Sequence, residues 1–338
     1  MMLAKKAVAL LSGGLDSALS AKLILDQGIE VIGLYFKNPF NTPLPPIPDE
    51  NLPASRIAKE LGIKLTIVPL KEKFLRMVEA PTYGYGKNMN PCIDCRILQL
   101  TIAKDYMEKV GASFIITGEV LGQRPMSQRR DTLNLVAKKS ETKDILLRPL
   151  SAKLLPPTLP EQEGIVDREK LLDIQGRSRK RQLELAKEYG ITGFSSPAGG
   201  CLLTDPKFSA RLRDLLRHQD RLTLNDVELL KVGRHFRLSP DLKVIIGRKH
   251  QENLIISNLA REGDIIYRPP KGVSGPTALS RGKEEEKDRA IIAALIVRYT
   301  NPDKPITAVR RFPYGKEIFT PVSPTPLSED DIERMKIQ

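Results

Sequence analysis

Short apolar runs alternate with amphipathic stretches through the first 150 residues of the chain. The predicted strands are Lys6 to Leu11, Glu30 to Phe36, Lys64 to Val68 and Ser113 to Thr117. The predicted helices are Asp16 to Gln27, Glu50 to Leu61, Lys71 to Glu79 and Cys95 to Val110. This alternation of strand and helix predicts an α/β fold, a doubly wound parallel sheet with helices on both faces.

The pattern changes after a last predicted strand at Ile145 to Leu150 and a proline-rich run at Leu154 to Pro160. Helices are predicted over Glu169 to Leu172, Arg179 to Tyr189, Pro206 to Arg217 and Lys287 to Tyr299. Short β-like runs are predicted at His235 to Leu238, Lys243 to Ile246, Asn253 to Ser257 and Asp264 to Tyr267. We therefore predict three domains: a catalytic domain over 1–155, a helical region over 156–222, and a smaller α+β module over 223–338.

The composition of the chain bears on its cellular compartment and on the kind of partner it binds. The chain is 41% hydrophobic and 28% charged and has no apolar run long enough to span a membrane. We expect no signal peptide and a cytoplasmic location, which three cysteines in 338 residues also suit. The net charge of +13 favours a polyanionic partner such as nucleic acid. With no Trp, 9 Phe and 8 Tyr, an aromatic stacking surface is not expected to dominate.

Ser12-Gly13-Gly14-Leu15-Asp16-Ser17, the phosphate loop, joins the first predicted strand to the first predicted helix. The glycines let the backbone approach an anion, and the helix N-terminus directs free N–H groups at it. Ser12 and Ser17 add hydroxyl donors, and Asp16 is suited to hold Mg2+ beside phosphates. The segment has neither a Walker ending nor the spacing of a dinucleotide fingerprint. The alternative is an ordinary strand–turn–helix corner.

The cysteines form a second candidate site. Cys92 and Cys95 stand just before a predicted helix, in Pro91-Cys92-Ile93-Asp94-Cys95, and Cys201 follows Pro197-Ala198-Gly199-Gly200. Thiols in such a pair or at a helix N-terminus have lowered pKa values, and the thiolate is the form that binds metal or attacks. Three unrelated thiols are the alternative. Asp94 is either a fourth metal ligand or a cap of the following helix.

Three stretches carry a resemblance to known enzymes. The phosphate loop resembles the SGGxDS loop of the PP-loop ATP pyrophosphatases, whose fold is adenine nucleotide alpha hydrolase-like. Gly118 to Gln128 is similar to the 4-thiouridine synthetases, and Asn90 to Cys95 with Cys201 is similar to the tRNA 2-thiouridylases. Gly233 to Ile256 resembles the RNA-binding module of the NFACT proteins. The chain is thus identified as a member of the tRNA thiolation group, of the three-cysteine iron–sulfur type.

The resemblance implies ATP-dependent thiolation of a tRNA uridine, at C2 or C4. ATP would lie on Ser12, Gly13, Gly14, Asp16 and Ser17 with Mg2+ near Asp16, while Gly118, Glu119 and Gln123 would contact nucleotide and substrate. Adenylation of a uracil carbonyl would precede sulfur transfer. Asp16 and the three cysteines would be catalytic.

Cys92, Cys95 and Cys201 would hold a 4Fe-4S cluster with one open iron. The alternatives are zinc, or a disulfide that cycles through a persulfide. The sulfur donor would be sulfide or a persulfide carrier, and a homodimer is an expected state because related enzymes often dimerise.

Two basic clusters, Arg124 to Arg130 and Arg177 to Arg181, suit a tRNA backbone, or else form solvated helix faces. Arg148 and Lys153 are candidates to neutralise phosphate, or else are salt-bridged. Two other functions stay open: adenylation of a small molecule by a PP-loop enzyme, and RNA binding without catalysis.

Overall fold

The computed structural model describes residues 5–195, 201–300, 307–316 and 318–338. The chain divides into two compact units, Met1–Cys201 and Leu202–Gln338. None of the described helices combines the length and the apolar character needed to cross a membrane.

The first unit is built on a parallel sheet of five strands in the order β3-β2-β1-β4-β5. The strands are β1 Lys6–Leu10, β2 Glu30–Lys37, β3 Lys64–Pro69, β4 Phe114–Thr117 and β5 Leu146–Leu147. β1 lies in the centre, where Ala7 to Leu10 are buried, because helices cover both faces of a parallel sheet. The carboxyl ends of the adjacent strands β1 and β4 therefore open at one edge.

Within the described residues of this unit, seven α-helices accompany the sheet. They are α1 Leu15–Leu25, α2 Pro53–Glu60, α3 Lys71–Glu79, α4 Cys92–Lys109, α5 Arg130–Lys139, α6 Leu159–Gln162 and α7 Lys180–Glu188. α1 and α7 pack against each other, and Leu19 of α1 and Leu185 of α7 belong to the same apolar core. This contact carries residues beyond 175 to the first sheet.

The second unit contains a six-stranded sheet in the order β11-β10-β8-β9-β7-β6, whose neighbouring strands pair antiparallel. Its strands are β6 Arg234–Ser239, β7 Leu242–Ile246, β8 Ile265–Arg268, β9 Ala278–Gly282, β10 Val309–Pro313 and β11 Thr320–Val322. Its helices are α8 Pro206–His218, α9 Leu224–Leu230, α10 His250–Asn258, α11 Glu286–Arg298 and α12 Glu329–Met335. Ile292 and Ile296 of α11 share a buried core with Val244 and Tyr267 of the sheet.

The α/β class with a smaller α+β module is confirmed, but the strand expected at 253–257 is wrong. These residues lie in α10, where Ile256 is buried while Leu254 is 52% exposed. The backbone N–H of Arg248 donates to the Glu252 side chain before the helix. An apolar run of three residues is too short for its period to separate strand from helix.

Residues 156–222 are divided between the units and do not form a region of their own. Val166, Leu171 and Leu185 pack in the core of the first unit, whereas α8 belongs to the second. The physical reason is that a few short helices bury too little apolar area alone and so join the nearest sheet.

Candidate active site

The phosphate loop is held in a conformation that only small residues permit. Gly13 has φ +78°, and a Cβ atom there would lie 2.5 Å from the backbone nitrogen of Ala54 at the start of α2. The Ser17 hydroxyl donates to the carbonyl of Gly14 at 2.8 Å and lies 3.1 Å from the Ser12 hydroxyl. The loop therefore presents the N-terminus of α1 with its backbone already ordered.

Gly118 fixes the loop from the neighbouring strand. A Cβ atom at Gly118 would lie 2.5 Å from the backbone nitrogen of Ser17 and 2.6 Å from the carbonyl carbon of Asp16. The absence of a side chain thus lets the end of β4 pack directly on the first turn of α1. The resemblance implied that Gly118 contacts the nucleotide. In the structure, Gly118 packs against the backbone of Asp16 and Ser17.

Asp16 lies where both basic clusters meet. Burial raises the pKa of Asp16, while Gln123, Arg179, Arg124 and Gln182 each act to lower this pKa. Gln123 and Arg124 follow β4, and Arg179 and Gln182 belong to the start of α7. Two clusters that the sequence offered for a tRNA backbone therefore each place an arginine beside the phosphate loop.

Several buried polar atoms around Asp16 lack hydrogen-bond partners among the described residues. They are Oδ1 of Asp16, Nε of Arg179, and both Nε2 and Oε1 of Gln182. Buried polar groups are normally satisfied, so a group of unsatisfied ones indicates a place for a ligand, ion or water. An anionic ligand with a divalent cation complements this set, because the set holds one free carboxylate oxygen and guanidinium donors.

Sequence reasoning missed Gln182 because it occupies the buried face of an amphipathic helix, a position that suggests core packing. The signal available in the sequence was a polar glutamine on the face of the helix that Leu185 and Ala186 share, and this amide is fully buried in α7. It also missed Ser195. The Ser195 backbone N–H donates to the carbonyl of Gly13 at 2.9 Å, and Gly14 pairs with Ser195 as an isolated parallel bridge. This bridge places Ser195 beside the phosphate loop.

The cysteines form the second candidate group of site residues. Cys92 begins α4, and its sulfur accepts from the Asn90 amide at 3.1 Å, while the Cys95 sulfur accepts from the Gln99 amide at 3.6 Å. Burial of its thiol raises the pKa of Cys95 to about 12, and Cys201 and Cys92 are near enough to add to this rise in pKa. The three thiols are therefore close enough to interact electrostatically.

No group of three or more His, Cys, Asp or Glu side chains within the described ranges is arranged as a metal site. Residues 197–200, which the sequence quoted beside Cys201, lie outside those ranges. The donor set nevertheless fits a soft metal or an iron–sulfur cluster, since thiolates are the ligands these prefer. The amide donors of Asn90 and Gln99 fit as well, because hydrogen bonds to sulfur tune such centres.

Asp94 takes neither of the roles expected from the sequence. Its two carboxylate oxygens accept from the backbone N–H groups of Thr82 (2.8 Å) and Tyr83 (3.1 Å). The side chain is buried and makes no cap contact with its own helix. Asp94 therefore ties the preceding loop to α4, and its oxygens are already engaged rather than free for a fourth ligand.

Glu119 is enclosed in the protein and paired. It is 2% exposed and forms ion pairs with Arg96 at 3.0 Å and Arg148 at 2.9 Å. Burial would raise its pKa, but the two arginines together hold that pKa below its usual value. Arg148 is thus salt-bridged, as is Lys153 with Glu169. For both residues, the salt bridge was the alternative to neutralising phosphate.

Two family models match the chain. Residues 5–158 match the tRNA methyl transferase HUP domain, and residues 233–335 match the NFACT protein RNA binding domain. The second match begins at Gly233, where the sequence resemblance to that module also begins.

The chain is also similar to curated tRNA-specific 2-thiouridylases. The tRNA-specific 2-thiouridylase MnmA of Sulfurimonas denitrificans is 37% identical over 123 residues, which are 35% of this chain and 36% of that protein. The enzyme of the same name from Pseudomonas fluorescens strain Pf0-1 is 27% identical over 241 residues, 69% of this chain and 61% of that protein. The chain thus covers less than two thirds of each of these relatives.

Solved structures with a weaker likeness include a 4-thiouridine synthetase–RNA complex with bound ATP. It is 22% identical, covers 67% of this chain and 52% of its own, and gives a TM-score of 0.39. The U34-tRNA thiolase NcsA from Methanococcus maripaludis, with its [4Fe-4S] cluster, is 15% identical, covers 67% and 68%, and gives a TM-score of 0.29.

Proposed function

We propose that this protein uses ATP to adenylate a uracil carbonyl of a tRNA and then replaces the carbonyl oxygen with sulfur. The observation that carries the proposal is the Gly14–Ser195 bridge, because it places Ser195, six positions before Cys201 in the sequence, beside the phosphate loop. One site would then activate the carbonyl, and the cysteines would serve the sulfur step. The relatives' name, tRNA-specific 2-thiouridylase, supports a tRNA as the substrate and thiolation as the outcome.

In the activation step, the carbonyl oxygen of the uracil attacks the α phosphorus of ATP, and pyrophosphate leaves. Backbone N–H groups at the start of α1 and the guanidinium groups of Arg124 and Arg179 stabilise the charge on the phosphates. The free Oδ1 of Asp16 would hold Mg2+, which offsets negative charge between the phosphates.

In the transfer step, hydrosulfide from an external donor attacks the activated carbon, loses its proton, and expels AMP with the former carbonyl oxygen. Cys92, Cys95 and Cys201 would hold a 4Fe-4S cluster, which supplies an open iron position for sulfur. Asn90 and Gln99 orient two of the sulfur ligands through their amide N–H groups. Glu119 stays ionised between its arginines and maintains the position of β4 behind the loop.

The decisive test of the overall reaction is pyrophosphate release on mixing protein, ATP and unmodified tRNA, followed by mass spectrometry of the tRNA nucleosides. A thiouridine that depends on ATP and on a sulfide source supports the proposal. Pyrophosphate release with a small molecule in place of tRNA would indicate the alternative adenylating activity. If metal-loaded protein released no pyrophosphate with a full tRNA pool, the proposed tRNA thiolation would be contradicted.

The cofactor is tested by anaerobic purification with iron, sulfide and zinc analysis. We expect Cys201→Ala to lose the brown chromophore and thiolation together, while ATP binding at the phosphate loop persists. Bound zinc in the absence of iron and sulfide would indicate a zinc site on these cysteines instead of a cluster. A Cys201→Ala variant that keeps both chromophore and thiolation would remove Cys201 from the site.

A further inference from the structure

Large apolar side chains are exposed together on the β10–β11 hairpin of the second unit. Tyr314, Ile318 and Phe319 are 52%, 53% and 56% exposed, and they lie within six positions of one another. β11 is also the edge strand of its sheet. Isolated exposed apolar residues are common, but several in one place indicate a surface that binds something.

Arginine side chains lie against the aromatic rings of this hairpin. The rings of Phe312 and Phe319 meet edge to face at 4.9 Å. The Arg310 guanidinium lies 5.4 Å from the Phe312 centroid and 5.6 Å from the Phe319 centroid, and Arg268 lies 5.7 Å from the former. Arg310 and Arg268 are direct cross-strand partners on β10 and β8. The surface is therefore aromatic and cationic at once.

The positive charge of these two arginines is not neutralised by carboxylates in the described part of the chain. Arg310 donates to the carbonyl of Pro269 at 2.9 Å, and Arg268 donates to the Ser257 hydroxyl at 3.0 Å. Both partners are neutral, so they orient the guanidinium groups without cancelling their charge. Arg311, on the same strand, differs because it pairs with Glu284.

We infer that this hairpin binds unpaired nucleotides of an RNA. Phe319 and Tyr314 would stack on exposed bases, while Arg310, Arg268 and the exposed Lys316 would contact phosphates. A duplex hides its base faces, so the aromatic rings favour a single strand. An apolar peptide would gain from the rings but would leave the arginines without partners, and the charge therefore favours RNA.

The inference rests on the proposed function in one respect, namely that the substrate is an RNA. It adds a contact surface for single-stranded regions, in a segment that matches an RNA-binding family model. Sequence analysis did not lead to this surface, because aromatic residues are few along the chain and because Arg268 reaches Phe312 only through the pairing of β8 with β10.

The test measures binding of a fluorescent, unstructured oligouridine to the full chain by anisotropy, without ATP, beside an RNA duplex of equal length. We expect tighter binding of the single strand, and a loss of roughly 5- to 150-fold for Phe319→Ala or Tyr314→Ala. Phe319→Tyr should bind as the wild type does. Leu254→Ala is the matched control, since Leu254 is 52% exposed in the same unit.

Arg310→Gln should weaken binding and lower the salt dependence by about one phosphate contact. Wild-type affinity in both Phe319→Ala and Tyr314→Ala would overturn the inference. Wild-type affinity in Phe319→Leu would also overturn it, since an apolar contact and not base stacking would then suffice. Equal binding of the duplex would do the same.

Thiolation assays on the same variants separate this inference from the proposed function. If the wild type binds oligouridine through the hairpin but thiolates no tRNA, only the proposed function fails. If thiolation occurs and the hairpin variants bind oligouridine normally, only the inference fails.

Discussion

At the residue scale, Gly13 and Gly118 hold the phosphate loop in place because neither position has room for a Cβ atom. Each would put that atom 2.5 Å from a backbone nitrogen. The backbone of the loop, α2 and β4 is thus packed around two missing side chains. Side chains with charge then complete the site around Asp16.

We expect Gly13→Ala to abolish ATP-dependent pyrophosphate release and to destabilise the first unit by more than the matched variant Gly28→Ala. Gly28 also has a positive φ, +73°, but a Cβ there meets nothing within 4 Å, so it reports backbone strain alone, about 1 kcal/mol. Urea unfolding and pyrophosphate assays compare the two. Wild-type release by Gly13→Ala would show that the loop is not the ATP site.

Cys95 should react slowly with iodoacetamide in metal-free protein at pH 8. Burial raises the pKa of its thiol to about 12, so almost no thiolate is present at that pH. The rate should be at least about a hundredfold below that of the same cysteine in the unfolded chain, measured by peptide mass spectrometry in urea. Equal rates in the folded and unfolded protein would mean that the thiol is open to water.

At the element scale, ion pairs join the end of β4 to its neighbours. Glu119 follows β4, Arg96 belongs to α4, and Arg148 follows β5. One buried carboxylate therefore links three elements behind the phosphate loop. Such a pair is costly to break, because the partner charges remain buried without compensation.

Glu119→Gln should lower the free energy of unfolding by about 3–5 kcal/mol at pH 7. The arginines hold the pKa of Glu119 below its ordinary value of 4.5 in the folded state, so its contribution is complete above that pH and is lost as the pH falls below it. The difference between variant and wild type should shrink accordingly in acid urea titrations.

Glu141→Gln is the control for this variant, because Glu141 pairs with Lys104 at the surface, where solvent screens the pair, and we expect little change in the free energy of unfolding. A Glu119→Gln effect as small as that of Glu141→Gln would mean that the buried pair contributes nothing to stability.

At the scale of the whole molecule, the net charge of +13 predicts how RNA binding responds to salt. Each phosphate contact releases a counterion, so tRNA affinity should fall at least about tenfold between low and moderate salt. A filter-binding titration at several salt concentrations, with an uncharged crowding agent as the control, measures the slope. An affinity that is independent of salt would exclude an electrostatic interface.

Local patterns along the chain were enough to predict part of the structure. The phosphate loop is contiguous with a strand before it and a helix after it, so residues 12–17 predict the α/β fold, which is confirmed, and a phosphate site, which stays a prediction. The alternation of apolar runs placed the strands of the first sheet for the same reason. The cysteine pair at the start of α4 is equally local.

The packing of the fold brings distant residues to the candidate site, and the sequence does not show which ones. Arg179 and Gln182 reach Asp16 because α7 packs on α1, and Ser195 reaches Gly13 across 182 positions. The buried pairs of Glu119 are likewise non-local, as is the approach of Arg268 to Phe312 of the hairpin. Periodicity reports which face of an element is apolar, but the partner of that face is set by packing, which sums contacts over the whole fold.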